Sequence, residues 1–203
     1  MKHLKIFEEY KNRVLFIVDV QKSFKNLFND IYLEELKKYS KDFIEIYQIY
    51  DNHLFDRPSN EFMFIDNPTK PIFDELYDFN ENDIIEKRFH DENHLYYYKQ
   101  FLSKDIFNLI LNKEKENQLK IGDMFDTKYG TKIIYINNNH MWFHLTKKMI
   151  NIFSRLKGRE IVLVGGEIDH SLKDIEISME SFGLNIMIQH KFIYSKNYCF
   201  FNQ

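Results

Sequence analysis

The chain has 203 residues, 44% of them hydrophobic, enough to close one sizeable core, and no Pro-, Gly- or Ser-rich linker divides it. Lys and Arg number 28 against 31 Asp and Glu, and a net charge of -3 supplies no basic field to hold a phosphate backbone, which excludes nucleic acid as the expected partner. The single cysteine, Cys199, permits neither an internal disulfide nor a Cys-built zinc site, and no run of about 18 uncharged apolar residues offers a membrane span, so a cytoplasmic protein is expected.

In chain order, the opening "MKHLKIFEEYKNR" lacks the continuous apolar stretch of a secretion signal. "VLFIV" (14–18) follows and ends on a carboxylate, Asp19. Ionised Asp is costly to bury without partners, so this residue reads as hydrogen-bonded structure or as chemistry. "DIYLEELKKYSKD" offers Asp30 as a helix cap and sets Leu33, Leu36 and Tyr39 close to helical spacing. Residues 43–50 and 84–86 are the next two strands. Residues 94–117 read as helical, with Phe107, Ile110 and Leu111 on one face and the charged "NKEKEN" as a solvated end. In "LKIGDMFDTKYGTKIIYINNN", Gly122 and Gly130 punctuate β-like runs, which predicts a small hairpin or an excursion from the sheet. "HLTKKMINIFSRLKG" predicts a helix stopped at Gly158, and residues 161–165 and 185–189 complete the strands.

Short Val, Ile, Phe and Tyr runs alternating with amphipathic stretches predict an α/β protein: a three-layer, Rossmann-like parallel sheet flanked by helices, in one domain over 1–203. The 20 Phe and 13 Tyr favour a protein interface wherever they are exposed. The only tryptophan, Trp142 in "HMWFH", reads as a core element or an interface anchor.

In open α/β sheets functional side chains gather at the carboxyl ends of strands. Three stretches fall there: Asp19 after the first strand, Lys87 after "DIIE", and "GGEIDHS" (165–171) after "IVLV". The ordered set "LFIVDVQKSF", "NDIIEKRF" and "IVLVGGEIDHSLKDIEISMESFGLNIMIQHKFIYS" resembles the isochorismatase-like, or cysteine hydrolase, superfamily, which includes the nicotinamidases. The resemblance implies that Asp19 is the catalytic acid or base, that Lys87 supports it electrostatically, and that Ser171 stands where the hydrolases have cysteine. A thiol is a far stronger acid than a serine hydroxyl, so this departure excludes thiolate chemistry. Ser171 is left with three readings: a nucleophile needing strong general-base help; a residue that caps or opens the following helix, with Asp174 as its capping-box acid; or a bystander. The last fits the isochorismate-cleaving members, which also lack the cysteine and whose chemistry centres on the acid matching Asp19.

Gly165 and Gly166 permit strained backbone and close approach, and the N–H groups after them have two readings, an oxyanion- or carboxylate-binding site with Gly166, Glu167 and His170 as the binding residues, or simply a tight strand-to-helix turn. The family's cis peptide in this turn would correspond to Gly166 and Glu167. Glu167 and Asp169 bring two negative charges to the same turn and argue against an anionic substrate. Asp51 and His53 in "YDNHL" resemble the Asp-x-His metal pair of nicotinamidases, with Glu61 or Asp66 as substitutes for the missing third ligand; a solvated loop is the competing reading. His90 and His94, four apart, share a face on a helix but lack a third ligand.

No cofactor is required by this reading, and a divalent metal is the alternative. The resemblance also implies that residues of about 94–140 are an insertion of a helix or hairpin. The expected function is hydrolysis of a small-molecule amide or vinyl ether by an Asp/Lys pair. The alternative is an inactive scaffold with a protein partner, and a homo-oligomer is expected in either case, with neither nucleic acid nor membrane as a partner.

Overall fold

A computed structural model of the chain describes residues 12–20, 27–43, 45–51, 84–87, 95–137, 141–166, 168, 171–195 and 198–199. It is a mixed α/β protein with a parallel sheet of four strands flanked by helices and a small antiparallel sheet. The parallel strands are β1 (Arg13–Val18), β2 (Glu45–Asp51), β7 (Glu160–Gly166) and β8 (Asn185–Ser195). With β3 (Ile84–Lys87) and β9 (Tyr198–Cys199) at its edges, the sheet runs β3-β2-β1-β7-β8-β9. β9 is antiparallel to β8.

The chain divides into two compact units. The first comprises Met1–Glu86, Gly158–Lys173 and Asn185–Gln203 and holds the parallel sheet. Leu15 and Ile17 of β1 and Val162 and Val164 of β7 alternate onto one face, where α1 (Asp30–Ser40) lays Tyr32, Leu33 and Leu36 against them. Phe28, Phe43, Phe192 and Tyr194 complete this cluster. Val14, Phe16, Val18, Ile161 and Leu163 alternate onto the other face and are also fully buried, the double-sided burial that makes parallel strands read as unbroken apolar runs. Phe16 stacks on Tyr47 with ring centroids 4.8 Å apart. The cap of α1 is Asn29 rather than Asp30: Asn29 is extended (φ -107°, ψ 175°) and its side-chain oxygen accepts from the Tyr32 N–H at 2.9 Å, leaving Asp30 in the first turn, where its charge complements the helix dipole.

The second unit comprises Lys87–Lys157 and Asp174–Leu184. Residues 94–117 do not form one helix. The short α2 (Leu95–Tyr98) ends as the Phe101 and Leu102 N–H groups turn back onto the Tyr98 carbonyl, and Ser103 then caps α3 (Lys104–Lys115) by accepting from the Ile106 N–H. The glycine-punctuated stretch forms the antiparallel sheet β4 (Met124–Asp126), β5 (Lys132–Asn137) and β6 (Met141–Leu145). In the β4–β5 turn the Thr127 hydroxyl accepts from the Tyr129 and Thr131 N–H groups, while Gly130 takes the left-handed setting (φ +72°) that an L-residue avoids. Phe107 and Ile110 of α3 pack on Phe125, Ile133, Tyr135 and Trp142, so the tryptophan is a core residue, 5% exposed. Thr146 caps α4 (Lys147–Arg155), and Gly158 (φ +84°) follows its end. Finally, α5 (Ser171–Ser181) crosses from the first unit to the second after Lys173. Among the described residues, no helix is long and apolar enough to cross a membrane.

Candidate functional site

The chain steps from β1 outward to β2 on one side and from β7 outward to β8 on the other, so its direction of advance reverses between β1 and β7. At such a reversal the loops leaving the two strands part and open a crevice at their carboxyl ends. Val18 and Gly165 are paired at the end of this β1–β7 register, which puts Asp19 and Gly166 as the next residues out on the two strands.

Asp19 is 3% exposed and has φ +57°, a left-handed setting uncommon for a residue with a side chain. Three hydrogen bonds hold the main chain there. The Asp19 N–H donates to the Ile49 carbonyl at 2.8 Å. The Asp19 carbonyl accepts from the Tyr194 Oη at 2.5 Å, and the Val20 carbonyl accepts from the Gln48 Nε2 at 2.9 Å. Strands on both sides of β1 therefore contribute: Gln48 and Ile49 lie on β2, Tyr194 on β8. Gln48 is fully buried; its Nε2 is satisfied by the Val20 carbonyl, while its Oε1 has no hydrogen-bond partner among the described residues. These bonds engage the peptide groups of Asp19 and Val20, whereas the two sequence readings of Asp19 concern its carboxylate.

The strained backbone and close approach expected of the two glycines are both present, and it is protein that makes the approach. A Cβ on Gly165 (φ +111°) would lie 1.9 Å from the Val18 carbonyl oxygen. At Gly166 it would lie 2.2 Å from Cε2 and Cζ of the Tyr194 ring. Close approach of strand to strand and of ring to strand accounts for both positions.

Ser171 is the first residue of α5 and Asp174 lies in its first turn, 8% exposed, a position that all three readings of Ser171 share. Ser171 itself is half-buried. The capping position one residue earlier, His170, lies outside the described residues, as do Glu167 and Asp169. Among the described residues no peptide bond is cis, and the Gly166–Glu167 bond, where the resemblance implies one, involves a residue outside them. Lys87 closes β3, separated from β1 in the sheet order by β2. Asp51 is the last residue of β2, while His53, Glu61, Asp66, His90 and His94 lie outside the described residues. Among the described residues no three His, Cys, Asp or Glu side chains gather as a metal would require.

Tyr194 and Gln48 were missed from the sequence. Gln48 carried a signal, a lone amide inside the apolar "EIYQIYD" run, whereas Tyr194 in "KFIYS" looks like any other core aromatic. A second feature of the first unit lies away from this crevice. Where β8 departs from regular pairing, between Leu163↔Ile188 and Gly165↔Ile193, a depression of about 310 Å³ is lined by Glu35, Lys38, Tyr39 and Asp42 from α1 and the turn after it, and by Gln189, Lys191 and Phe192 from β8. Of its charged residues, Glu35 pairs with Lys38 at 2.8 Å and with Lys191 at 3.2 Å.

A scan against protein-family models and searches of curated proteins and of solved structures return no match to this chain.

Proposed function

We propose that the chain is an isochorismatase-like hydrolase of a small molecule, an amide or a vinyl ether, that works without a cysteine nucleophile. The observation that carries this reading is Asp19: a nearly buried carboxylic residue in a left-handed backbone setting at the reversal of strand order, where open α/β sheets place their ligands. In this reading Asp19 donates or accepts the proton, and the roles that the resemblance implies for Lys87 (electrostatic support) and for Gly166, Glu167 and His170 (substrate binding) are kept. With a vinyl ether, Asp19 protonates the alkene carbon, water adds to the resulting oxocarbenium carbon and returns a proton to Asp19, and the hemiketal collapses by C–O cleavage to a carbonyl compound and an alcohol, so Ser171 need form no bond. With an amide, Asp19 takes a proton from the attacking hydroxyl or water and returns it to the leaving nitrogen.

The test is a panel of amides and vinyl ethers with the parent protein, Asp19→Asn and Asp19→Ala. Loss of a general acid or base lowers turnover by about 10²–10⁴-fold, and both variants are expected to fall that far with their circular dichroism unchanged. A parent protein that turns over none of the panel, or an Asp19→Ala protein that keeps its rate, rejects the proposal.

A second reading, an inactive scaffold that assembles with itself, draws on the exposed apolar side chains of the second unit: Leu109, Ile121 and Tyr129 are 46%, 53% and 56% exposed. It predicts an oligomer in light scattering that dissociates on Ile121→Ser with Tyr129→Ser. A monomeric parent at working concentration counts against it.

A further inference from the structure

We propose that Tyr194 is a positioning residue of this site, one side chain that sets both banks of the crevice. The inference rests on the reading that Asp19 carries the chemistry, and it assigns a role to a residue that no sequence motif marks.

Tyr194 is 1% exposed and touches both strand ends through different atoms. Its hydroxyl gives its one proton to the Asp19 carbonyl at 2.5 Å. Its ring occupies the space that the missing side chain of Gly166 leaves, so close that a Cβ would overlap Cε2 and Cζ. The ring has little freedom to give way. Phe28 lies 5.1 Å from it between centroids, and Tyr32 meets it edge-on at 6.1 Å. Tyr32 is itself tied down, its hydroxyl donating to the Phe192 carbonyl at 3.0 Å. A rigid donor anchored in the α1-side core therefore holds a carbonyl whose residue occupies an unfavoured backbone basin. Because the φ of Asp19 fixes the direction of its Cα–Cβ bond relative to β1, and a carbonyl held in place restrains φ and ψ together, the phenol acts on the carboxyl group through the peptide.

Catalysis is sensitive to such placement, since misplacing a reacting group by about 1 Å can cost about 10²-fold. Tyr194→Phe removes the hydroxyl and keeps the ring that packs on Gly166. The expected result has two parts, both read below the melting temperature. The Asp19 carbonyl carbon, amide and Hα resonances move, with a three-bond HN–Hα coupling that leaves the left-handed value, while resonances of the second unit stay put. On any substrate that the parent turns over, kcat falls by about tenfold to a hundredfold with KM unchanged, whereas a purely structural role would lower the melting temperature and spare kcat.

Asp19 resonances in Tyr194→Phe that match the parent's overturn the proposal, and so does a shifted carbonyl signal with kcat unaltered. The two failures are distinguishable. A parent without turnover rejects the hydrolase reading, and the Asp19 backbone signals still decide whether Tyr194 holds the peptide.

Discussion

Gly165→Ala perturbs the switch point at its tightest contact. The new Cβ would lie 1.9 Å from the Val18 carbonyl oxygen and 2.9 Å from the Val18 C and N atoms. Real Cβ contacts essentially never fall below 3.0 Å, so β1 and β7 would have to part by about 1 Å where their register places Val18 against Gly165. Gly158 supplies the matched control, since its φ is also positive (+84° against +111°) but its Cβ would meet nothing within 4 Å. Gly158→Ala therefore measures the left-handed penalty alone, about 1–2 kcal/mol. Overpacking adds about 1–3 kcal/mol where side chains can adjust, and the neighbour here is paired backbone, which adjusts least. Gly165→Ala is thus expected to lose about 4 kcal/mol or more, a large share of the roughly 5–15 kcal/mol that a domain has in total. Urea denaturation followed by far-ultraviolet circular dichroism compares the three proteins. Equal midpoints for the two alanine variants would refute the inferred strand contact.

In the second unit, Gly122→Ala brings a Cβ to 2.8 Å from the Ser181 Oγ and should destabilise; Ser181→Ala should recover part of that loss in a double-mutant cycle, and strict additivity would contradict the contact. The Glu35 carboxyl is held below the ordinary carboxylate range, first by the hydrogen bond from Lys38 and then by that from Lys191. Stability tied to its charge is present above the ordinary range and is lost as pH falls through the lowered value, and carboxyl-carbon NMR should show Glu35 titrating later on acidification than in Lys38→Met. Asp19→Gly should be more stable than Asp19→Ala by about 1 kcal/mol, because glycine accepts φ +57° without penalty; thermal melts of the pair give the difference.

The strand ends were legible where burial left an unbroken signature. The stretches 14–18 and 161–165 are continuous apolar runs, and the observed strands Arg13–Val18 and Glu160–Gly166 extend the first by one residue at its start and the second by one at each end. The second strand was read as beginning at Phe43 and begins at Glu45, and β8 extends to Ser195 rather than 189, because its later residues pair again after the irregularity at Leu163. Helix ends depended on single hydrogen bonds. Asn29 and Asp30 are both good caps by type, and only the extended backbone of Asn29 decides between them. The break between α2 and α3 was hidden because the run "LYYYKQFLSKDIF" keeps apolar residues near helical spacing across Ser103. Asp19 itself was visible as a carboxylate ending an apolar strand. Its restraints were not, since the Tyr194 phenol reaches its carbonyl from 175 residues away along the chain and the Gln48 amide reaches the next carbonyl, that of Val20, from 28.

What the sequence separates, the sheet order joins. Gln48 and Tyr194 sit on strands that flank β1 and β7 on opposite sides, so the peptide at the end of β1 is gripped from both directions of the sheet. That grip bears on the choice between enzyme and scaffold. A left-handed setting costs an L-residue about 1–2 kcal/mol, and the hydrogen bonds that offset it are made by main-chain groups of positions 19 and 20, which any residue other than proline at position 19 would keep. The carboxylate is therefore separable from the restraint, and Asp19→Ala isolates it, since alanine keeps the Cβ, the strain and the main-chain bonds. If the side chain serves only packing and charge, Asp19→Ala should lower the melting temperature. If it serves proton transfer, the melt should stay level or rise as turnover vanishes, the exchange of stability for activity expected when a carboxyl group is buried for its chemistry.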